Sequence, residues 1–206
     1  MIQNRFILGC LAAVALVGAG CATTATKSGF LSGYDRLHTG RFLRSYWSAP
    51  ELTSAACSKI YIAPVDTSRI ANQGEVSVAD IADWLETGTA LAIHQNEGWN
   101  SVDQADGSTS KLEMAVTYYT LGSSTKRALV GQFGAGRAAV QVEGRLVDSA
   151  TNKELACFTT RQTDTGTGGL EDLGGDAGPE LVQRMLERVG GILMMELSAS
   201  CQDNAR

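Results

Sequence analysis

The thiol of Cys21 is the side chain whose type and position most clearly point to chemistry. It directly follows the small residues Gly18-Ala19-Gly20 and an apolar run from Phe6 to Val17, and Arg5 is the only charged residue among the first 26. A cationic start, a short apolar run and a small-residue end are typical of a secretory signal peptide, and the run is too short to span a membrane. Small residues before the cysteine would let a peptidase cut there, and the new N-terminal thiol could then accept a diacylglycerol.

The stretch Leu16-Val17-Gly18-Ala19-Gly20-Cys21 resembles the lipobox of bacterial lipoproteins, with Gly18 at the position where leucine is usual. The resemblance implies cleavage after Gly20 and acylation of Cys21, with palmitate among the chains. Several acyl chains on one residue anchor a protein firmly, whereas one myristoyl-length chain is marginal. Ala22 follows instead of aspartate, which by resemblance to enterobacterial lipoproteins implies the outer membrane, on its periplasmic side. Ordinary cleavage that leaves Cys21 unmodified is the alternative.

The length of the chain predicts one domain behind this signal. Cleavage after Gly20 leaves 186 of the 206 residues, enough for a single hydrophobic core. We expect a signal peptide at 1–20, a lipidated cysteine and tether at 21–28, an irregular aromatic-rich opening segment at 29–56 and a single α+β domain at 57–202. The aromatic side chains of the opening segment either pack across the domain surface or contact a partner or a membrane interface.

The charge balance disfavours nucleic acid as a partner. The chain carries 17 basic and 22 acidic side chains, a formal net charge of −5, and nucleic-acid-binding proteins are typically basic. Residues 27–59 are the exception, because five of their side chains are basic and two are acidic. That stretch would suit anionic lipid headgroups, or it is a solvated linker with scattered charge.

Hydrophobic periodicity predicts an α+β fold in the order β-α-β-β-β-α, with a small mainly antiparallel sheet and both helices packed on one face. Residues 58–65 are expected to form a buried strand, and residues 77–95 a helix capped by Ser77. Pro179 is expected to open the last helix. Three alternating strands are expected between the two helices, at 111–121, 138–148 and 154–163.

Two local features of this pattern lead to further expectations. Gln141, Glu143 and Arg145 alternate with apolar residues, which predicts a sheet with one polar, uncovered outer face. Gly190 and Gly191 lie inside the last helix, where each costs about 1 kcal/mol relative to alanine. Close packing against a neighbouring element is the expected reason for them.

The three cysteines that remain beside Cys21 after cleavage would lie in an oxidising compartment, where one pair could form a disulfide. Cys57 and Cys201 both lie at element ends, so we predict that they pair. Cys157 lies in the middle of a strand and is expected to be a buried apolar residue. No two of these cysteines are close in sequence and the chain has two histidines, so neither a metal site nor a cofactor is predicted.

The connection at 122–137 is long for a hairpin and mixes basic with apolar side chains, and long ordered loops are often functional. Its glycines do not make a phosphate-binding loop, because a strand follows them where a helix is required and the Lys-Ser/Thr pair is missing. This loop is the best candidate surface for an envelope protein partner or for self-association. A long β-connection whose glycines permit tight turns or close backbone approach is the alternative. The candidate residues are Lys126, Arg127, Leu129, Val130, Phe133 and Arg137.

Four stretches together resemble a known family. They are Ser28-Gly29-Phe30-Leu31-Ser32-x-Tyr34, Ile60-x-Ile62-x-Pro64-Val65, Gly134-Ala135-Gly136-Arg137-Ala138 and Leu146-Val147-Asp148. With them the mature chain is similar to a family of bacterial outer-membrane lipoproteins catalogued as domain of unknown function 3313. Gly33 stands where the family more often has aspartate, and Asn152 where it has glycine, although asparagine tolerates the left-handed backbone. The resemblance implies no catalytic residues.

No catalytic motif is recognisable in the sequence. Neither His38 nor His94 belongs to a known nucleophile–base signature, and the acidic residues of the 164–176 stretch lack the spacing of a calcium loop. We therefore expect a lipid-anchored, non-enzymatic binding or assembly module. An accessory subunit of an envelope export or transport complex is the first alternative. An envelope hydrolase is the second, and it would need His38 or His94 beside a serine and a carboxylate.

Overall fold

A mixed sheet organises the part of the chain that the computed structural model describes, which is residues 26–70, 75–122, 138–164 and 177–205. The strands are β1 (Ser45–Ser48), β2 (Lys59–Ile62), β3 (Asn100–Val102), β4 (Ser110–Thr120), β5 (Ala138–Asp148) and β6 (Glu154–Asp164). The helices are α1 (Val78–His94) and α2 (Ala177–Asp203), and a single 3-10 turn spans Tyr34–Arg36. The strand order is β1-β6-β5-β4-β2-β3; β2 is parallel to β3 and β4, and the other pairs are antiparallel.

Helix α1 begins and ends where its sequence signals indicate. The side chain of Ser77 accepts a hydrogen bond from the backbone N–H of Ala79, as an N-cap residue does, and Gln95 is the C-cap. Ile81 and Leu85 lie one turn apart on its apolar face and are fully buried. The predicted helix at 77–95 is therefore confirmed within the usual uncertainty of one or two residues at each end.

The β5–β6 hairpin turns at the residues that the sequence indicated. Asn152 has a φ of 55°, in the left-handed region that asparagine tolerates better than most residues. The Asp148 carboxylate accepts hydrogen bonds from the backbone N–H and the hydroxyl of Thr151, which hold the turn closed. Leu146 and Ala156 are then directly opposite each other on the core side of the sheet.

Both helices pack on one face of the sheet, as predicted. α1 lies against β2 and β3, and α2 lies against β5 and β6. Gly88 of α1 and Gly190 of α2 allow the two helices to approach closely: a Cβ atom on Gly190 would lie 2.8 Å from the Cα of Thr89. The expectation of close packing is confirmed for Gly190, whereas a Cβ on Gly191 would meet no atom within 4 Å.

The α+β fold class is confirmed, and two short strands extend the predicted order. β3 has three residues at one edge of the sheet, and β1 has four at the other edge. β1 arises from the opening segment that was expected to be irregular, and it pairs with β6 over its whole length. No helix among the described residues is both long enough and apolar enough to cross a membrane.

Candidate functional site: a clasp between residues 26–34 and the sheet

The outer face of the sheet, which is the face away from the helices, is not a solvated surface. Gln141 and Glu143 point to this face, as their alternation with Val140 and Val142 predicts, but only 1% and 0% of their surface is exposed. The expectation of an uncovered outer face was therefore wrong at these two positions. The physical reason is that residues 26–34 cross the outer face and hydrogen-bond to both side chains.

Gln141 binds the main chain of Thr26 through both ends of its amide. Its Oε1 atom accepts a hydrogen bond from the backbone N–H of Thr26 at 3.0 Å, and its Nε2 atom donates to the backbone carbonyl of Thr26 at 2.6 Å. The Nε2 atom also donates to the hydroxyl of Thr117 on β4, at 3.0 Å. A side-chain amide that satisfies both backbone groups of one residue holds that residue as a neighbouring strand would.

Glu143 holds the next part of the segment. Its carboxylate accepts hydrogen bonds from the backbone N–H of Ser28 at 3.2 Å, from the Nε2 atom of Gln141 at 3.1 Å, and from the hydroxyl of Tyr34. None of the ion pairs among the described residues includes Glu143. Its buried carboxylate is therefore satisfied by donors on uncharged groups.

The hydroxyl of Tyr34 closes the segment into a loop. It accepts hydrogen bonds from the backbone N–H groups of Ser28 at 3.1 Å and Gly29 at 3.0 Å, while it donates to Glu143. Gly29 has a φ of 83°, which favours glycine at this bend, and Leu31 is buried. These contacts give a structural role to the Ser28–Tyr34 motif. We call residues 26–34 together with Thr117, Gln141 and Glu143 the clasp.

Side-chain contacts extend the coverage to both sides of the clasp. Arg36 stacks on the ring of Trp47, 4.3 Å from its centre, and pairs with Glu154. On the other side the guanidinium of Arg69 lies 5.8 Å from the centre of the Phe30 ring. The opening segment therefore packs across the domain surface, which is one of the two arrangements that its aromatic residues allowed.

A row of ion pairs crosses the outer face next to the clasp. Glu113 on β4 accepts hydrogen bonds from Arg145 at 2.6 Å and pairs with Lys111 at 2.5 Å. Partial burial acts to raise the pKa of Glu113, but the hydrogen bonds from Lys111 and Arg145 outweigh it and lower that pKa below its usual value. Glu113 is therefore ionised at neutral pH.

The predicted pair Cys57 and Cys201 is brought together in the core. The two Sγ atoms lie 3.4 Å apart as thiols, and both side chains are buried. The hydrogen bond from Cys57 raises its own pKa, with burial adding to the effect, and lowers the pKa of Cys201. Cys157 is buried in β6, in accord with its assignment as a core residue. A bond between Cys57 and Cys201 stays a prediction.

The two histidines lie apart from the clasp. The Nε2 atom of His94 is 2.8 Å from the hydroxyl oxygen of Ser101 at an exposed edge of the sheet, and no carboxylate among the described residues bonds to His94. The main chain of His38 pairs with Tyr46, and the Nδ1 atom of its ring lies 3.4 Å from the carbonyl oxygen of Arg36. A serine thus lies beside one histidine. A hydrolase triad also needs a carboxylate that bonds to the histidine, and the described residues place none there.

Other sites predicted from the sequence fall outside the described residues. These are Cys21 and the partner-surface residues Lys126, Arg127, Leu129, Val130, Phe133 and Arg137. Thr26, in the clasp, is the described residue nearest to Cys21 in sequence. Among the residues that the structure places, no group of three or more histidine, cysteine, aspartate or glutamate side chains could hold a metal ion.

A groove of about 220 Å³ between α1 and α2 was not anticipated from the sequence. Leu91, Gln95, Glu187 and Gly191 contribute to its lining, and 59% of the surface of Leu91 is exposed.

The clasp was not predicted from the sequence either, although Gln141 and Glu143 stand out as polar residues in an apolar strand. That pattern could have indicated a polar contact, but not the distant segment that makes it.

Comparison with known proteins finds distant structural likenesses and one match to a family model over part of the chain. The structure is similar to the PelC dodecamer from Paraburkholderia phytofirmans, with 11% identity over 71% of this chain and 95% of that chain and a TM-score of 0.45. It is also similar to lipoprotein GNA1162 from Neisseria meningitidis, with 14% identity, 64% and 96% coverage and a TM-score of 0.36. A minor lipoprotein from Acinetobacter baumannii gives 12% identity, 69% and 94% coverage and a TM-score of 0.35. No inference about function follows from likenesses at this level.

None of the curated proteins matches the chain. One match to a family model supports the coarser expectation that the chain contains a domain with no assigned activity. Membership in domain-of-unknown-function family 3313 stays a prediction. Over residues 85–168, less than half of its length, the chain is similar to the family described as a domain of unknown function, DUF4410.

Proposed function

We propose that the protein is a lipoprotein of the cell envelope, anchored through Cys21 in the outer membrane on its periplasmic side, and that it acts as a non-enzymatic binding or assembly module. The clasp is the observation that carries this proposal. Thr26 is fixed to the sheet five residues after Cys21, so the folded domain is held by the same stretch of chain that leads to the anchor.

The clasp suits an anchored protein for a mechanical reason. A tether that joins a lipid anchor to a domain transmits any pull on the domain to its first fixed residue. Thr26 is the first residue that the structure describes, and its backbone N–H and carbonyl are both hydrogen-bonded to the side-chain amide of Gln141. Further along, Glu143 accepts hydrogen bonds from Ser28 and Tyr34, so several hydrogen bonds must break together before the segment is released.

The groove between the helices supports the assembly part of the proposal. Leu91 is the exposed apolar side chain in the lining of this groove, and we propose the groove as one candidate surface for a partner. The loop at 122–137 remains the second candidate surface, because it mixes cationic and apolar residues. An accessory role in an envelope export or transport complex is a specific form of this proposal, and it predicts a defined oligomer or a co-purifying membrane complex.

The experiment is a mild-detergent pull-down of the tagged protein from its own membranes, with mass analysis of its N-terminal peptide. Cys21→Ser, a deletion of residues 126–136 and Leu91→Glu are compared with the wild type. We expect a diacylglycerol-bearing Cys21, outer-membrane fractionation, and partners that one of the two surface variants loses while its circular dichroism is unchanged. A protein that is extracted alone and monomeric would contradict the assembly role, and an unmodified Cys21 would contradict the anchor.

The hydrolase alternative depends on the Ser101–His94 hydrogen bond and has its own control. The Ser101→Ala variant is expected to give the same envelope phenotype as the wild-type protein. If Ser101→Ala abolishes that phenotype while the protein remains folded and membrane-bound, the non-enzymatic assignment is wrong.

A further inference from the structure

We infer that the clasp also orients the domain on the membrane: the end of the sheet at which β5 begins faces the lipid bilayer, and the opposite end points away from it. This inference rests on the proposed lipidation of Cys21. It goes beyond that proposal because it assigns a membrane-facing surface to the folded domain.

The first step is the position of the clasp within the sheet. Gln141 is the fourth residue of β5, close to the end at which β5 begins, β4 ends and β6 ends. The far end of the sheet holds Asp148, where β5 ends and the turn to β6 begins. The clasp is therefore attached near one end of the strands.

The second step is the direction of the bound segment. Thr26 bonds to Gln141, and Ser28 bonds to Glu143. The segment thus runs along β5 in the same direction as the strand. Thr26, where the described segment begins, therefore lies nearer than Ser28 to the end of the sheet at which β5 begins.

The third step is the reach of the chain between anchor and clasp. Cys21 is five residues from Thr26, so their Cα atoms are at most about 18 Å apart even when the chain is fully extended. Asp148 lies seven residues along β5 from Gln141, which is about 24 Å in an extended strand. If the clasp were open, the free chain would reach to Tyr34, a span of up to about 45 Å that would allow any orientation.

The fourth step is the charge at the two ends. Lys27, which belongs to the clasp, is exposed, and Arg161, opposite Gln141 on β6, stacks on Tyr118 at 4.4 Å from the ring centre. At the far end, hydrogen bonds from Ser108 and Thr151 lower the pKa values of Asp106 and Asp148 below their usual range, so both are ionised at neutral pH. Anionic lipid headgroups attract nearby cations and repel carboxylates. The far end also carries Lys153, which pairs with Glu51, and Lys59 near Asp106, so the two ends differ in charge by less than the aspartates alone indicate, and the tether carries the orientation.

The test measures which end of the sheet is close to lipid. The lipidated full-length protein is placed in vesicles of phosphatidylethanolamine and phosphatidylglycerol that carry a headgroup quencher. One variant, Thr163→Cys, places a fluorescent maleimide at the clasp end, and its matched control, Ala150→Cys, places it at the far end. Both positions are exposed, whereas Cys57, Cys157 and Cys201 are buried, so the dye reacts with the introduced thiol.

We expect quenching of the dye at position 163 and none at position 150. An insertion of about ten Gly and Ser residues between Ala22 and Thr23, which forms a flexible coil, is expected to abolish the difference. Equal quenching at both positions, or stronger quenching at 150, would overturn the orientation while the anchor stands, provided that mass analysis finds the lipid on Cys21. An unmodified Cys21 would overturn the proposed function and, with it, the orientation.

Discussion

The carboxylate of Glu143 shows how a single residue can fix a whole segment of chain. Burying an ionised carboxylate is unfavourable unless hydrogen bonds replace its hydration. Here the replacement comes from three donors, two of which, the backbone N–H of Ser28 and the hydroxyl of Tyr34, belong to residues 26–34. The burial of the Glu143 carboxylate therefore depends on the position of residues 26–34, and that position depends in turn on the carboxylate.

Glu143→Gln tests this coupling with almost no change in side-chain volume. One acceptor oxygen becomes an NH₂ group, so either Ser28 or Tyr34 faces a donor where it needs an acceptor. We expect the free energy of unfolding to fall by about 1–3 kcal/mol, and we expect trypsin to cleave after Lys27 and Arg36 faster than in the wild type. Urea denaturation and timed proteolysis measure the two effects.

Glu97→Gln is the matched control, because it makes the same change of charge at an exposed position after α1. It should leave both the urea midpoint and the cleavage rate unchanged. If Glu143→Gln behaves like Glu97→Gln, the carboxylate does not hold the opening segment.

At the scale of elements, the crossing of α1 and α2 depends on glycine at one position and merely tolerates it at the next. A Cβ atom on Gly190 would lie 2.8 Å from backbone atoms of Thr89, which cannot move aside as a flexible side chain could. A Cβ on Gly191 would meet open space. The two glycines are adjacent in one helix, so they share the same helix propensity.

This contrast predicts effects of opposite sign. Gly190→Ala should lower the free energy of unfolding by about 1–3 kcal/mol, because the helices must separate to admit the methyl group. Gly191→Ala should raise it by about 0.5–1 kcal/mol, the gain in helix propensity. Thermal and urea denaturation of the two variants, side by side, measure both changes; a stabilising Gly190→Ala would contradict the close approach.

Elements with a long periodic pattern were predictable, and elements defined by pairing alone were not. Ile81 and Leu85 in α1, and Val140 and Val142 in β5, repeat with the period of their element over many residues. β1 and β3 have four and three residues, too few for a period, and they exist because β6 and β2 offer them hydrogen bonds.

The clasp could be predicted only in part, for a related reason. Alternation gives the direction in which Gln141 and Glu143 point, but it carries no information about what covers them. The Ser28–Tyr34 motif was visible as a pattern, yet its partner lies 115 residues away in sequence at Ser28 and Glu143. Contacts at such a separation depend on the tertiary fold, which no local spacing encodes.

For the whole molecule, the two ends of the described chain are tied into one body by contacts on both faces of the sheet. The clasp holds residues 26–34 on the outer face. On the helix side, the buried carboxylate of Glu196 accepts hydrogen bonds from three consecutive backbone N–H groups, those of Arg41, Phe42 and Leu43. The opening segment is thus fixed first to the sheet and then to α2, before β1 joins the sheet edge.

Cys57 and Cys201 offer a third tie, between the start of β2 and the last turn of α2. In an oxidising compartment we expect these thiols to exchange with the disulfide of an oxidoreductase: the two cysteines lose two electrons and two protons to form their bond, and the oxidant's disulfide is reduced to two thiols. The thiolate of one of the two cysteines is the group that attacks the oxidant's disulfide. The bond would close a loop of 144 residues in sequence separation, which the chain-entropy model values at about 4–5 kcal/mol.

The prediction is checked on protein purified from its own envelope, denatured and alkylated without reductant. Each chain is expected to carry one alkylated cysteine in addition to the lipidated Cys21. Peptide mapping should identify the alkylated residue as Cys157. Dithiothreitol should lower the urea midpoint of the wild type and of the control Cys157→Ser equally, because the Cys157→Ser substitution leaves the pair intact for the reductant to break. It should have no effect on Cys57→Ser, in which the bond cannot form. Three alkylated thiols, or a midpoint that is insensitive to reductant in the wild type, would mean that the buried pair stays reduced and that the end of α2 is held by packing alone.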